Sequence, residues 1–265
     1  MKIGIIGKGV IGTANSNGFI HLGHDVFVHD PKLGTEIQVV IDTEIIFICV
    51  PTPTLENGKC DISIVETVLQ QLDAASYQGT IAIRSTIIPG STKKFQTQFS
   101  NLEIAYVPEF LRERSATEDF IENHTVLAIG SENPTTVDKI IKCHGDLPQN
   151  IEIITPTEAE ILKYYNNVFA SLRIIFANNI FEICVQLGAD YNKVKNTYVK
   201  TGKLGDMYLD VNENLRGYAG PCLPKDTLAL ANLMREKGIN FGLIEQIHQD
   251  NAKLKKTVLP GMRIK

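Results

Sequence analysis

The chain has 265 residues, of which 43% are hydrophobic and 21% charged, and its formal net charge is -4. A domain usually has about 100–200 residues, so one large or two smaller domains are expected. The composition is that of a soluble globular protein, with no leader and no apolar run near the ~18 residues needed to cross a bilayer. We therefore expect a cytoplasmic protein that binds no membrane, and the negative charge argues against nucleic acid as a partner.

The five cysteines are odd in number and are never spaced as C-x-x-C, so neither a disulfide scaffold nor a metal site is predicted. Cys49, Cys143 and Cys184 lie within strand or helix patterns, where small buried cysteines are common. Cys222 lies instead in GPCLPKD, between two prolines. Its setting predicts a chemical role.

The predicted elements begin with an apolar strand at residues 3–6, a glycine-rich turn, a helix to about Leu22 and a strand that ends at Asp30. Further strands are predicted in the segments EIIFICV, TIAIRST, LEIAYV, TVLAIG and IEIIT, which helical patterns separate. Strands buried on both faces appear as continuous apolar runs, so a parallel, doubly wound sheet is favoured. The pattern predicts an α/β fold in which residues 1–155 form a Rossmann-like domain.

The pattern changes at residue 156, where apolar residues recur at helical spacing over about thirty positions. Thr157 and Glu160 are a candidate capping box at the start of this helix, and Gly188 is a candidate stop. The apolar faces are too broad for a helix that covers one surface, so contact with a partner subunit is predicted. We expect a small all-α domain over residues 156–265 and a homodimer formed through the long helix at 157–187.

The turn GKGVIG places glycines in a G-x-G-x-x-G pattern between a strand and a helix. Glycines allow close backbone approach, and the helix N-terminus offers N–H groups to a pyrophosphate. Asp30 follows at the end of the second strand, where a carboxylate binds the adenosine ribose and repels a 2′-phosphate. The alternative is a glycine turn with a surface aspartate. The pattern favours NAD over NADP, bound at the turn by Gly7, Gly9, Val10, Ile11 and Gly12.

Four further segments carry a family resemblance: CVPTP at 49–53, RSTIIPGS at 84–91, PEFLRE at 108–113 and CLPKD at 222–226. In this order they resemble the UDP-glucose/GDP-mannose dehydrogenase family, over residues 2–250. The resemblance implies NAD-dependent oxidation of a nucleotide sugar, with UDP-glucose the expected substrate, from primary alcohol to uronate. That family usually has a third, C-terminal domain that binds the nucleotide, which this chain is expected to lack. The connection over residues 31–44 also looks too short for the usual crossover helices.

The implied oxidation removes four electrons, so it takes two hydride transfers, and the intermediate aldehyde must be retained between them. A cysteine thiolate can add to the aldehyde, giving a thiohemiacetal that becomes a thioester and is then hydrolysed. Cys222 matches the family's nucleophile. Lys163 and Asn167 lie four apart on the long helix, match the family's catalytic pair and can stabilise negative charge on oxygen. A solvated helix face is the alternative, but their aromatic and aliphatic neighbours predict that both are buried.

Asp226 lies four residues after Cys222, one turn away if a helix starts near Pro224, and can orient a water or accept a hydrogen bond from Lys163. The resemblance implies that Glu113, with Thr86, activates the hydrolytic water. The predicted catalytic residues are Cys222, Lys163, Asn167, Asp226, Glu113, Thr86 and Glu109. Further cofactor contacts are implied for Val50, Pro51, Thr52, Thr86 and Lys225. Substrate contacts are implied for Glu109, Phe110, Leu111, Arg112, Glu113, Lys163, Asn167, Gly217, Tyr218, Gly220 and Cys222.

Because of two departures from the family pattern, the sequence does not determine which sugar and which nucleotide the substrate contains. Arg114 stands where a small residue is usual, and Ala219 replaces the first glycine of the pair before the cysteine. Two other functions are compatible with the sequence. One is the two-electron chemistry of β-hydroxyacid dehydrogenases, which share the Lys-x-x-x-Asn helix and need no cysteine. The other is a non-catalytic relative that binds NAD or a nucleotide sugar, which the presence of every catalytic residue disfavours.

Overall fold

The structure is a computed structural model that describes residues 1–254. It contains one seven-stranded sheet, formed by β1 (Lys2–Ile6), β2 (Asp25–His29), β3 (Ile45–Ile48), β4 (Thr80–Ile83), β5 (Glu103–Tyr106), β6 (Leu127–Gly130) and β7 (Ile151–Ile154). The strand order is β2-β1-β3-β4-β5-β6-β7. The predicted doubly wound α/β sheet is confirmed. One junction differs from the prediction of an all-parallel sheet, since β5 and β6 pair antiparallel, at Tyr106 and Gly130.

Six helices are interspersed with the strands: α1 (Val10–His21), α2 (Gln38–Ile41), α3 (Ser63–Ala74), α4 (Ser91–Gln98), α5 (Ala116–Ile121) and α6 (Pro134–His144). The segment between β2 and β3 holds a 3-10 turn and the four-residue α2, as its short length predicts. Four helices follow the sheet: α7 (Pro156–Leu187), α8 (Tyr191–Val199), α9 (Leu223–Glu236) and α10 (Leu243–Lys253).

The central strands are apolar throughout because both faces of the sheet are covered. Alternate residues of β3 belong to different cores: Ile46 and Ile48 pack on one side, Ile45 and Phe47 on the other. The first core includes side chains of α3 and α4, and the second includes side chains of α1, α5 and α6. This follows from the two-residue repeat of a strand. β7 departs from the predicted burial, since its isoleucines at 151 and 153 are exposed at the sheet edge.

The chain divides into two compact units. Met1–Leu55 with Cys60–Lys163 form the first, and Glu56–Lys59 with the described residues from Tyr164 onward form the second. The division therefore falls inside α7. Residues 255–265, which the sequence places in the second domain, lie outside the described residues. A domain boundary near residue 155 stays a prediction.

The predicted capping box of Thr157 and Glu160 is wrong, because α7 begins at Pro156. A capping box forms two residues earlier, between Thr155 and Glu158. The Thr155 N–H donates to Glu158 Oε2 at 2.8 Å, and the Glu158 N–H donates to Thr155 Oγ1 at 3.3 Å. Proline is favoured in the first helical turn, which places the cap immediately before it. The predicted stop is confirmed, since Gly188 follows the helix with φ +65°.

Among the described residues, α7 is the one helix long and apolar enough to cross a membrane, with a mean hydropathy of 1.6 over 18 residues. This corrects the expectation that no stretch of the chain is that apolar. In the second unit, Ala177 and Cys184 of this helix pack with Tyr191, Leu209 and Val211. We therefore assign α7 as a core helix of the fold. Part of its surface still carries exposed apolar side chains, among them Tyr165, Phe169, Phe176, Ile183 and Leu187.

Candidate active site

The glycine turn lies at the carboxyl end of β1, where the order of the sheet reverses direction between β1 and β3. In doubly wound sheets this switch point is where ligands bind. Gly7 has φ +95°, and its N–H donates to His29 O at 2.8 Å. A Cβ on Gly12 would lie 1.8 Å from Gly7 O. Gly12 therefore has to be glycine for α1 to start so close to the strand.

Gly9 precedes α1 and fits a pyrophosphate. A Cβ built on Gly9 meets no atom within 4 Å, so the turn is open at this point. No side chain caps the helix, and its first turn carries no acidic residue. Val10 and Ile11 are the first two residues of α1. The N-terminal N–H groups of a helix attract anions. The residues present therefore fit a dinucleotide phosphate.

Asp30 ties the end of β2 to the glycine turn. Its carboxylate accepts the Lys8 N–H at 2.6 Å and the Lys32 N–H at 2.9 Å. The Lys8 hydrogen bond is the largest cause that holds the pKa of Asp30 below its ordinary value, with Lys32 acting in the same direction and partial burial against it. The group is therefore ionised at neutral pH and has lone pairs left for ribose hydroxyls.

The segments after β3 and β4 are joined by side-chain hydrogen bonds. Ser85 Oγ donates to Val50 O at 2.8 Å. The Cys60 thiol lies 3.8 Å from Thr52 O and 3.5 Å from Thr86 O. These contacts bring together Val50, Thr52 and Thr86, three of the residues predicted to contact the cofactor. Pro51, the neighbour of Val50, is exposed.

Lys163 and Glu109 form a buried ion pair in the first unit. Lys163 Nζ donates to Glu109 Oε1 at 2.7 Å and to Glu109 O at 2.6 Å, and the two residues are 3% and 8% exposed. Glu109 Oε2 accepts the Leu111 N–H at 2.9 Å, and the Phe110 ring lies 5.9 Å from Nζ. The prediction that Lys163 is buried is confirmed. Four of the predicted substrate residues are thus in contact.

Arg112 and Glu113 complete the PEFLRE segment. The Arg112 guanidinium donates to both carboxylate oxygens of Asp119, and it is the main reason why the pKa of Asp119 is lowered. Glu113 is half-buried and begins a 3-10 turn. The chain before it is not helical, so the spacing of four between Glu109 and Glu113 does not place them on one helical face.

Glu160 caps a second helix, a role that the sequence pattern did not identify. The N-cap residue of α4 is Gly90, which has no side chain to cap the helix. Glu160 replaces the cap from α7: its Oε2 accepts the Gly90 N–H at 2.5 Å, and its Oε1 accepts the N–H and Oγ–H of Thr92 at 2.7 and 2.6 Å. Burial raises the pKa of Glu160, against these hydrogen bonds. A carboxylate three residues before Lys163, in an apolar helix, was the available signal.

Asn167 and Asp226 form the corresponding polar contact in the second unit. Asn167 Nδ2 donates to Asp226 Oδ2 at 2.6 Å, and Asn167 is 6% exposed. Lys225 Nζ donates to Asp226 Oδ1 at 2.5 Å. Asp226 is fully buried between them. Lys225, which is predicted to contact the cofactor, therefore contacts Asp226. Lys163, the predicted donor to Asp226, makes the two hydrogen bonds to Glu109 described above.

Cys222 is the N-cap residue of α9 and is exposed. The Asp226 N–H donates to Cys222 O at 2.9 Å, which places Asp226 one helical turn away, as predicted. The start of a helix offers positive partial charge to an anion that forms there. Gly217, Tyr218 and Gly220 lie in the loop that leads to this cysteine.

The other cysteines differ from Cys222 in their environment. Cys60, Cys143 and Cys184 are buried. Burial raises the pKa of Cys49 to about 12, and it also raises the pKa of Cys143. A thiol is unreactive until it loses its proton, so these two are poor nucleophiles. Among residues 1–254, no three His, Cys, Asp or Glu side chains are arranged to hold a metal ion.

Comparison with known proteins identifies both units. A sequence model of the NAD binding domain of the UDP-glucose/GDP-mannose dehydrogenase family matches residues 32–147, and the central-domain model of that family matches residues 157–253. UDP-glucose 6-dehydrogenase AglM of Haloferax volcanii is 25% identical over 92% of this chain and 68% of its own length. GDP-mannose 6-dehydrogenase of Pseudomonas aeruginosa is 28% identical over 81% of this chain and 52% of its own. The chain thus spans between half and about two-thirds of these relatives.

Two solved structures share the fold. A UDP-glucose dehydrogenase from Pyrobaculum islandicum superposes with a TM-score of 0.86 at 24% identity, over 95% of this chain and 68% of that one. The 3-hydroxyisobutyrate dehydrogenase of Mycobacterium tuberculosis superposes with a TM-score of 0.75 at 16% identity, over 95% of this chain and 92% of that one. At these identities the likeness shows the fold.

The Glu160 contact generates a stability prediction. Glu160→Gln is expected to lower the free energy of unfolding by about 1–3 kcal/mol, because an amide nitrogen would face an N–H donor in a buried place. Urea denaturation measures the change. Glu158→Gln is the matched control on the same helix, since glutamine also serves in a capping box. A Glu160→Gln protein as stable as the parent would contradict the conclusion that the Glu160 carboxylate caps α4.

Proposed function

Because the chain belongs to the UDP-glucose/GDP-mannose dehydrogenase family, we propose that it oxidises UDP-glucose to UDP-glucuronate through a covalent intermediate on Cys222. It is an NAD-dependent nucleotide-sugar dehydrogenase. The observation that carries the cysteine mechanism is the exposed thiol at the start of α9, one turn before the buried Asp226. An oxidation that stops at two electrons has no use for such a thiol.

The glycine turn and Asp30 supply the cofactor contacts in this proposal. When bound, NAD accepts the hydride in each of the two oxidations. Gly9 leaves room for the pyrophosphate, and the first N–H groups of α1 bind it. The Asp30 carboxylate accepts hydrogen bonds from the adenosine ribose. The segments that follow β3 and β4 supply the further proposed contacts, from Val50, Thr52 and Thr86.

Lys163 and Asn167 are proposed to stabilise negative charge on the substrate oxygen. The alcohol oxygen carries negative charge after its proton has left and before the hydride leaves, and an ammonium and an amide on one helical face favour that charge. Glu109 holds the ammonium in place at 2.7 Å, and Asp226 orients the Asn167 amide at 2.6 Å. Both supporting carboxylates therefore act on the orientation of a catalytic group.

The second oxidation is proposed to proceed through Cys222. The thiolate adds to the aldehyde carbon, a carbon–sulfur bond forms, and the carbonyl oxygen takes a proton to give the thiohemiacetal. Loss of the second hydride and of that proton leaves a thioester. Water, activated by Glu113 with Thr86, attacks the thioester carbon, the carbon–sulfur bond breaks, and the uronate and the thiol are released.

A two-electron β-hydroxyacid dehydrogenase is the second candidate. The observation that favours it is the M. tuberculosis 3-hydroxyisobutyrate dehydrogenase, which this chain covers over 92% of its length. Lys163 and Asn167 would serve that chemistry equally well. Cys222 distinguishes the two candidates, because the second one gives the cysteine no chemical role.

The protein is proposed to act as a cytoplasmic homodimer formed through α7. In the isolated chain Tyr165 is 67% exposed, Phe176 60% and Leu187 78%. Large apolar side chains of this kind, repeated along one helix, are typical of an interface between subunits.

Light scattering tests the dimer. The parent is expected to be dimeric at micromolar concentration, with about 2,000 Å² or more buried between subunits. Phe176→Glu is expected to give monomers, since it places a carboxylate in the apolar contact. Gln71→Glu, at an exposed position of α3, is the control and should stay dimeric. A monomeric parent protein would rule the interface out.

Calorimetric titration tests the cofactor preference. NAD is expected to bind at least about tenfold more tightly than NADP, because the 2′-phosphate would lie beside the Asp30 carboxylate. Asp30→Asn should reduce the ratio of the NADP dissociation constant to the NAD dissociation constant. Asp42→Asn, at an exposed position, should leave that ratio unchanged. Equal dissociation constants for the parent would show that Asp30 does not contact the ribose.

An NADH absorbance assay tests the mechanism. The parent is expected to form two NADH per UDP-glucose. Cys222→Ala and Cys222→Ser should lower the overall rate by about a hundredfold or more, yet still reduce the corresponding aldehyde with NADH, since that step reverses only the first oxidation. Cys143→Ala is the control: it should affect core packing, and it should leave the overall rate near that of the parent.

The same assay distinguishes the alternatives. If Cys222→Ala still forms two NADH per sugar at near the parent rate, the thiohemiacetal is excluded and the β-hydroxyacid reaction becomes the better proposal. If the parent forms no NADH with any nucleotide sugar but binds NAD, the chain is a non-catalytic relative. Either result rejects the proposed reaction.

A further inference from the structure

The loop that leads to Cys222 is held by a side chain from the last described helix. Asn251 of α10 accepts the Tyr218 N–H at its Oδ1, at 2.8 Å, and donates from its Nδ2 to Tyr218 O, at 2.9 Å. Asn251 is 3% exposed and Tyr218 is also 3% exposed. A carboxamide has the donor and acceptor arrangement of a peptide group, so this pair resembles two residues paired in a sheet.

The loop is shaped for this contact. Gly217 has φ +57°, and a Cβ there would lie 2.7 Å from Asn251 Oδ1. Glycine is therefore required both by the backbone angle and by the close approach of the amide. Gly220 also has a positive φ, of +84°. A segment with two such glycines loses much conformational freedom on ordering, so it needs external contacts to adopt one conformation.

Arg216 holds the other side of the same segment. Its Nε donates to Asn178 Oδ1 at 2.7 Å, its guanidinium pairs with Glu182, and the group lies 4.9 Å from the Phe181 ring centroid. These three partners belong to α7. Residues 216–218 are thus held between two helices, and Cys222 follows four residues later, at the start of α9.

We propose that Asn251 is a positioning residue of the sugar site: by fixing the backbone at Gly217 and Tyr218, it sets the position of the Cys222 thiol and of the loop that contacts the sugar. The assignment rests on the proposed function, which makes Cys222 the nucleophile. The side-chain hydrogen bonds of Asn251 go to the Tyr218 backbone. Asn251 acts through these two hydrogen bonds.

Asn251→Asp tests the role with a nearly isosteric change. The aspartate can still accept the Tyr218 N–H, but a carboxylate oxygen would replace Nδ2 and face Tyr218 O, so one bond is lost. Gly217→Ala disturbs the same contact from the loop side. Gln249→Glu makes the same amide-to-carboxylate change at an exposed position of α10 and serves as the control. Thermal unfolding of each variant shows that it is folded.

Three measurements follow for each folded variant: the KM for UDP-glucose, the dissociation constant of NAD, and the rate at which iodoacetamide alkylates Cys222, read by mass spectrometry. For both Asn251→Asp and Gly217→Ala we expect KM to rise about tenfold, as the loss of one buried hydrogen bond implies. Alkylation of Cys222 should accelerate about threefold or more as the loop opens locally. NAD affinity should stay within about twofold of the parent, since the glycine turn and Asp30, which are proposed to bind the pyrophosphate and the ribose, belong to the first unit.

The outcomes separate this inference from the proposed function. Alkylation and NAD binding need no turnover, so an inactive parent would reject the proposed function while the alkylation rates still tested the role of Asn251. Unchanged alkylation and unchanged KM in folded Asn251→Asp and Gly217→Ala proteins would overturn the inference. A parallel loss of NAD affinity would also overturn it, because it would show general destabilisation. If Asn251→Asp does not fold, Gly217→Ala decides.

Discussion

The buried ion pair between Lys163 and Glu109 constrains how the candidate catalytic groups of the first unit are arranged. Charges removed from water are stable only when they are paired and hydrogen-bonded, and removing one partner of such a pair costs about 3–5 kcal/mol. Lys163 meets both the carboxylate and the backbone carbonyl of Glu109, at 2.7 and 2.6 Å. The PEFLRE segment must therefore lie against the second turn of α7. Glu160 adds a second fixed point one turn earlier, at the start of α4.

α7 carries its chemistry as a short polar face in an apolar helix. Glu160, Lys163 and Asn167 follow at intervals of three and four residues, which places them on one side of a helix. Each finds its partner in a different segment: the start of α4, the PEFLRE segment and the start of α9. The same helix therefore supplies the hydrophobic core and the two groups proposed to stabilise an oxyanion, and the polar contacts determine its rotation about its own axis.

The five cysteines show how environment separates groups of one chemical type. Cys49 and Cys143 follow or lie within regular elements, where burial raises their pKa and keeps them protonated. Cys222 lies where an irregular loop becomes a helix, so its thiol is exposed at a point of positive partial charge. The loop itself has little regular structure, and its glycines make it intrinsically flexible. A reactive group at such a place depends on side chains from elsewhere, as the contacts of Arg216 and Asn251 illustrate.

Local patterns in the sequence determined the sheet strands, the glycine turn, the long helix with its glycine stop, the burial of Lys163 and Asn167, and the distinct setting of Cys222. Hydrophobic periodicity and the backbone angles that favour glycine depend on residues close together in the chain, so a sequence displays them directly. The failures have the complementary cause. The capping box was assigned two residues late because two overlapping patterns fit the same segment, and the antiparallel junction and exposed edge strand depend on how strands are ordered in space. The cap that Glu160 gives to Gly90 spans 70 residues, and the bonds between Asn251 and Tyr218 span 33. Only the tertiary structure decides such pairs, because a polar side chain in one element carries no local mark of the backbone group that it will meet in another.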